Sequence, residues 1–260
     1  MIELNPYEPF MMHGPTLKAL HRKYLADTLN TDAYKMAGGS RYVTKFQNPN
    51  TSGFLLHIPI IGMMTRYGQA CAIGSEDIVN MIAEANNTPE IKGIVLEADG
   101  PGGQASGTRE LYMAVKKSKK PVFGYIKGMA ASAHYYAIAG CRSIYAESAT
   151  SQVGSLGALA IIEQQLDEKK TYEVLRARGS EKKMLVNAVE PLTAELRENI
   201  IDNLTTLRDL FIDDVLISRT SLKDEATTGE VFLGKKAQNV GLIDGIMEKE
   251  QFLKFITKNI

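Results

Sequence analysis

Apolar and polar positions alternate differently on the two sides of residue 50. Before it, Leu17, Leu20, Tyr24, Leu25 and Leu29 recur at helical spacing, and residues 35–52 are rich in Gly, Asn and Ser. The first pattern predicts a helix over 16–29 and the second a loop, so residues 1–50 read as an N-terminal arm and linker, either an oligomer contact or a solvated extension. From Gly53 a regular rhythm begins. Residues 54–61, 91–98 and 121–126 are apolar runs of strand length. Between the first two, Ser75 stands as the N-cap of a helix carrying Ile78, Met81, Ile82 and Ala85 on one face; residues 108–117 repeat that pattern with Leu111, Ala114 and Val115. Residues 99–103, Asp-Gly-Pro-Gly-Gly, predict a tight turn. A turn at Ser132, a helix over 133–139 and a strand over 143–146 follow. Strands alternating with helices imply parallel βαβ units and an α/β fold over residues 51–260.

Further on, the pattern predicts a helix near 161–170, a strand near 172–177 and an irregular polar stretch over 178–189. A long helix starts at Thr193, with a stripe formed by Leu196, Ile200, Leu204, Leu207, Phe211 and Val215. Residues 229–244 hold two more short strands and a short helix. No internal repeat is present.

Composition narrows the classes. The chain has 260 residues, enough for one α/β domain with additions. Lys+Arg and Asp+Glu are 30 each, so the net charge of zero offers no nucleic-acid surface and permits self-association. The two cysteines, Cys71 and Cys141, fit no metal motif and read as reduced, buried thiols. No metal or other cofactor is expected. The longest apolar run, around 54–64, is too short to span a membrane, and the first ten residues lack a basic-then-apolar leader pattern. The expectation is a soluble cytoplasmic protein, with peripheral membrane association as the alternative.

Chemistry concentrates around Ser132, which falls between small residues where an apolar strand gives way to a helix. Unpaired N–H groups at such a turn favour the oxyanion formed when a serine attacks a carbonyl. The alternative is a small residue chosen for packing. Gly102 and Gly103 let the backbone approach closely and point an N–H outward, which would be half of an oxyanion hole, and the N–H of Ala133 would be the other half, although a simple turn would also explain the glycines. The base is harder to find. His13 and His21 lie in the arm, His57 lies inside a predicted strand, and His134 is two positions from Ser132 on the same helix, where side chains do not face each other. Lysine can replace histidine if burial keeps it neutral. Lys182 and Lys183 precede Met184, Leu185 and Val186, which could desolvate one of them; the alternative is a pair of solvated lysines.

Four blocks resemble the signal peptide peptidase A family of Ser-Lys peptidases and its phage and prophage head-protein relatives. They are KGIVLEADGPGG at 92–103, GMAASAHYY at 128–136, QVGSLG at 152–157 and GEVFLGKKAQNVGLID at 229–244. They occur in order and at family-like spacing. The resemblance implies a ClpP/crotonase-like fold of ββα repeats arranged as a spiral. It implies Ser132 as nucleophile and Gly103 and Ala133 as oxyanion-hole positions. Counting from Gly179 selects Lys182 as the base; counting back from NAVEPLT at 187–193 selects Lys183, the longer match, 51 positions after Ser132. Gly102, Gln152, Val153, Gly154 and Ser155 are expected to line an extended substrate. The chain departs from the family at Ala133 and His134, where two glycines are usual, and at Gly100, where serine is usual; the His134 ring is expected to narrow the cleft. The lysine loop is one residue off the usual spacing.

The reading that follows is a serine endopeptidase acting on extended peptides, either signal-peptide remnants or phage capsid and scaffold proteins. It is expected to form a homo-oligomer whose active sites are shared between subunits. The alternatives are a weakly active or inactive phage head assembly protein and an acyl-CoA hydratase or isomerase on the same fold.

Overall fold

The computed structural model describes residues 10–12, 44–47, 54–68, 73–162, 174–178 and 190–260. The strand order of its sheet is β2-β3-β4-β5-β6-β9. The strands are β1 (Phe10–Met12), β2 (Thr44–Gln47), β3 (Phe54–Met64), β4 (Ile91–Gln104), β5 (Val122–Ala131), β6 (Ser143–Ala146), β7 (Gln152–Gly154), β8 (Val231–Leu233) and β9 (Gly245–Ile246). The helices are α1 (Ser75–Asn87), α2 (Thr108–Lys116), α3 (Ala133–Ala139), α4 (Ala194–Ser218), α5 (Gly234–Asn239) and α6 (Lys249–Lys258), with a 3-10 turn at Asp224–Thr227. The β3–β4, β4–β5, β5–β6 and β6–β9 pairs are parallel, as the strand–helix rhythm predicts.

Three successive strands are longer than the apolar runs that predict them, and each has two arms. Register breaks between Ile61 and Met63 in β3 and between Ala98 and Gly100 in β4. The first arm of β5 pairs with β6 up to Ile126; from Met129 the second arm pairs with β7 instead. A helix follows each bent strand, so the ββα unit recurs as β3–α1, β4–α2 and β5–α3. The tight turn expected over 99–103 is therefore a bend within a continuing strand. Its glycines allow close approach: a Cβ on Gly103 would lie 1.8 Å from the Met64 carbonyl oxygen.

The period-two pattern of the strands faces two cores. Ile94, Leu96 and Ala98 of β4 meet Ile78 and Ile82 of α1, Leu111 of α2 and the buried face of α3. Val95, with Phe123 and Tyr125 of β5, meets Phe252 and Ile256 of α6 on the other side. Ser75 is the first residue of α1; the cap position belongs to Gly74, whose N–H donates to Asp77 Oδ2 at 3.0 Å. Thr193 caps α4 as expected, its hydroxyl accepting the Leu196 N–H at 3.2 Å. Of the α4 stripe, Leu196, Phe211 and Val215 are buried and Ile200, Leu204 and Leu207 half-buried; outside the stripe, Ile201, Leu210, Leu216 and Ile217 are exposed.

The arm contributes two strands to the sheet. β2 falls within the stretch expected to be loop and pairs antiparallel with β3. β1 pairs antiparallel with the second arm of β4. The helix expected over 16–29, nearly all of the helix near 161–170, and Cys71 lie outside the described residues, and residues 174–178 form no strand. Among the described residues no helix is long and apolar enough to cross a membrane.

Candidate active site

Ser132 joins β5 to α3 at φ 55° and ψ −121°, a conformation that disfavours any side chain. Such a residue costs about 1–3 kcal/mol and persists only where its surroundings impose it. Here its N–H donates to the Gly154 carbonyl at 2.8 Å, and its own carbonyl accepts the Tyr136 N–H at 2.9 Å. Ser132 is 1% exposed, and its Oγ has no hydrogen-bond partner among the described residues. An unmet buried hydroxyl costs a further 1–3 kcal/mol or so. Packing alone does not account for this residue, since glycine would relieve the backbone and alanine the hydroxyl. A strained strand-to-helix turn that isolates a serine oxygen matches what a nucleophile requires.

The glycine bend of β4 lies against this turn. Gly100 pairs with Ala130, two residues before Ser132. Gly102 has φ 113°, and its N–H donates to Nδ1 of His134 at 3.2 Å. That N–H is directed into the protein, leaving Gly103 and Ala133 as the expected oxyanion donors. Ala133 opens α3, where N–H groups have no partner within the helix. Gly103 is flanked by Met64 of β3 and Met11 of β1.

His134 does not narrow the cleft. It is fully buried beneath the bend, where burial pushes its pKa down to about 4 and keeps the ring neutral. Sequence spacing rules out a contact between His134 and Ser132 but says nothing about the strand behind the helix. His57 is buried within β3, as expected, and its Nε2 lies 3.1 Å from Glu97 Oε2. Glu97 also accepts a hydrogen bond from Lys249 of α6. Burial alone would raise its pKa, but the bonds from His57 and Lys249 outweigh this and hold the carboxyl at about 2.

Gln152, Val153 and Gly154 form β7, which pairs with β5 on one side and β8 on the other. Both edges of that strand are taken within the chain. Ser155 also has a positive φ, 55°, and its N–H donates to the Glu230 carbonyl at 2.7 Å. These residues sit beside Ser132 and, through the Gly154 carbonyl, fix its backbone. Lys182 and Lys183 lie outside the described residues.

One group escapes a reading of the sequence. Asp214 of α4 is buried; it receives Arg109 Nε at 2.8 Å and the Tyr136 hydroxyl at 2.5 Å, while its carbonyl accepts the Tyr112 hydroxyl at 2.6 Å. This cluster ties α2 and α4 to α3, one turn behind Ser132. Its signal in the sequence is a carboxylate directly beside Val215 in the apolar stripe of the long helix.

The chain is similar to "Serine protease SPPA, chloroplastic" of Arabidopsis thaliana, 27% identical over 186 residues, covering 67% of this chain and 27% of that protein. It is likewise similar to "Head-tail preconnector protein GP5" of Enterobacteria phage P21, 27% identical over 230 residues and covering 84% of this chain and 44% of that one. A putative signal peptide peptidase SppA of Enterococcus faecium is 24% identical over 253 residues, with 90% and 72% covered. The chain thus spans less than half the length of the first two. Among solved structures, a ClpP1 mutant of Listeria monocytogenes aligns with a TM-score of 0.49 at 11% identity, covering 75% of this chain and 94% of that one. An enoyl-CoA hydratase of Shewanella pealeana aligns with a TM-score of 0.49 at 10% identity, covering 89% and 77%. The profile of Peptidase family S49 matches residues 114–259, more than half the chain and the part that holds the Ser132 turn together with Tyr136 and Asp214 behind it. The chain belongs to peptidase family S49.

Proposed function

We propose that the protein is a serine endopeptidase in which Ser132 is the nucleophile and Lys183 the general base. The observation that carries this reading is the Ser132 turn: a strained, buried serine whose oxygen meets no partner among the described residues. Ser132 Oγ attacks the peptide carbonyl and passes its proton to the neutral lysine. The N–H groups of Gly103 and Ala133 hold the oxyanion. The lysine then protonates the leaving amine, and water releases the acyl group by the reverse sequence. The substrate pairs as an extended strand with the bend around Gly102 and Gly103, beside Ser155.

Both carboxylates near the bend speak against acyl-CoA hydratase chemistry. Glu97 is held by His57 and Lys249, and Asp99 accepts the Met129 N–H at 3.1 Å. Similarity to a head-tail preconnector protein supports phage capsid or scaffold proteins as one substrate class, and similarity to a putative signal peptide peptidase supports signal-peptide remnants as the other. The exposed apolar residues of α4 favour a homo-oligomer.

The test is cleavage of casein, with labelling by a fluorophosphonate. Ser132→Ala is expected to abolish both and to leave the circular dichroism unchanged. Lys183→Ala is expected to be as inactive, and Lys182→Ala much milder. Cleavage by Ser132→Ala at the wild-type rate would exclude Ser132 as nucleophile; the reverse ranking of the lysines would move the base to Lys182.

A further inference from the structure

Two of the chain's departures from the resembled family touch each other. His134 stands where glycine is usual and Gly100 where serine is usual. A Cβ on Gly100 would lie 2.4 Å from Nε2 and 2.6 Å from Cε1 of His134, and 2.3 Å from the Gly62 carbonyl oxygen. The ring and the Gly62 carbonyl together fill the space that a side chain at position 100 would need. Its other nitrogen, Nδ1, accepts the Gly102 N–H at 3.2 Å.

We propose that His134 is a positioning residue that locks the Gly100–Gly103 bend to the helix carrying Ser132, and that Gly100 and His134 form one steric and hydrogen-bonded unit. The inference rests on the peptidase reading for its catalytic consequence but not for its geometry. The two halves of the proposed oxyanion hole come from different elements, Gly103 from β4 and Ala133 from α3. Their relative position decides whether both reach the same oxygen, and a misplacement of about 1 Å costs on the order of a hundredfold in rate. His134 is one residue from Ala133, and Gly102 is one residue from Gly103, so the bond between them links the two halves at the shortest available distance along each chain segment. The lock requires a lone pair on Nδ1, which the neutral ring provides; burial, by lowering the pKa to about 4, keeps it neutral around pH 7. Gly102 could not carry a side chain at its φ of 113° without strain, so the N–H is aimed by the backbone as well as received by the ring.

The experiment has two readouts. Hydrogen exchange at the Gly102 amide reports the lock without reference to activity: it is expected to be protected in the wild type, unprotected in His134→Leu, which fills space without an acceptor, and protected in His134→Asn, whose side-chain oxygen can replace Nδ1. Steady-state cleavage of an unstructured peptide is then expected to show kcat lower by about ten- to a hundredfold in His134→Leu with little change in KM, and recovered in His134→Asn. Gly100→Ser alone is expected to be impaired by collision with both the ring and the Gly62 carbonyl; adding His134→Gly removes the first collision only, so the double variant is expected to stay below wild type yet be more active than the product of the two single losses. Equal exchange in all variants, or losses that simply multiply, would overturn the proposal even if His134→Leu proved too unstable to assay. Ser132→Ala run alongside separates the outcomes: an active Ser132→Ala removes the peptidase reading, while the exchange data still judge the lock.

Discussion

Glu97 carries its charge where burial opposes it. Its carboxyl titrates at about 2 rather than the ordinary 4.5, because the bonds from His57 and Lys249 exceed the penalty of desolvation. A lowered folded-state pKa contributes stability that is present above about 4.5 and lost as the pH falls towards 2. Lys249 is 41% exposed, so its share is about 1 kcal/mol. Lys249→Ala is expected to leave stability near neutral pH only slightly reduced and to raise the midpoint of acid unfolding, followed by near-ultraviolet circular dichroism. An unchanged midpoint would assign the whole shift to His57. Both partners illustrate what a single sequence withholds at this scale. His57 is legible as a strand residue from its apolar neighbours, but its contact with Glu97 crosses two parallel strands, and pairing register is not written in either run alone. Ser132 is legible because its neighbours are all small, whereas the function of His134 depends on a glycine 34 positions earlier in the chain.

At the scale of elements, helices placed by their caps and stripes are the most readable. Thr193 starts α4 as predicted, and Ile78, Ile82 and Ala85 form the buried face of α1. The long strands are less so, since Gly and Pro at 100–103 read as a turn when they in fact permit a bend between two strand arms. α6 goes unread although Phe252 and Ile256 stand one turn apart, because it follows the last of the four blocks. Asp214 is the consequential omission. Removing its side chain strips Arg109 of its carboxylate and leaves the buried Tyr136 hydroxyl without an acceptor, a loss of about 2–3 kcal/mol. Asp214→Ala is thus expected to melt lower by roughly 2–4 °C per kcal/mol, with Asp214→Asn intermediate because its amide oxygen still serves Tyr136. Tyr136 belongs to the helix of Ser132, so kcat is expected to fall with the melting temperature; a stability loss without a rate loss would show that α3 holds its place without α4.

At the scale of the whole molecule, the described residues supply the serine and both expected oxyanion donors, while the candidate lysines fall 50 and 51 positions after Ser132. Near-zero net charge and the exposed Ile201, Leu210, Leu216 and Ile217 of α4 both favour association. If neighbouring subunits complete each site, mixing inactive Ser132→Ala with inactive Lys183→Ala restores partial activity, because some interfaces pair an intact serine with an intact lysine. The measurement is cleavage by the re-assembled mixture, with mass by light scattering. No rescue from mixtures shown to exchange subunits would rule the shared site out.

The pairing of Phe10–Met12 with Gly102–Gln104 bears on how such an enzyme would meet its substrate. A strand tethered to the same chain competes at an effective concentration on the order of millimolar, however dilute the protein. A free peptide needing the same edge must displace it, so its apparent affinity falls by the fraction of molecules whose edge is open. The rate at saturation is unaffected. Removal of residues 1–12 is accordingly expected to lower KM and leave kcat unchanged, and an unchanged KM would place substrate entry elsewhere. Because such a tether would multiply every peptide's KM by one common factor, it would throttle turnover at low substrate without altering which peptide is preferred.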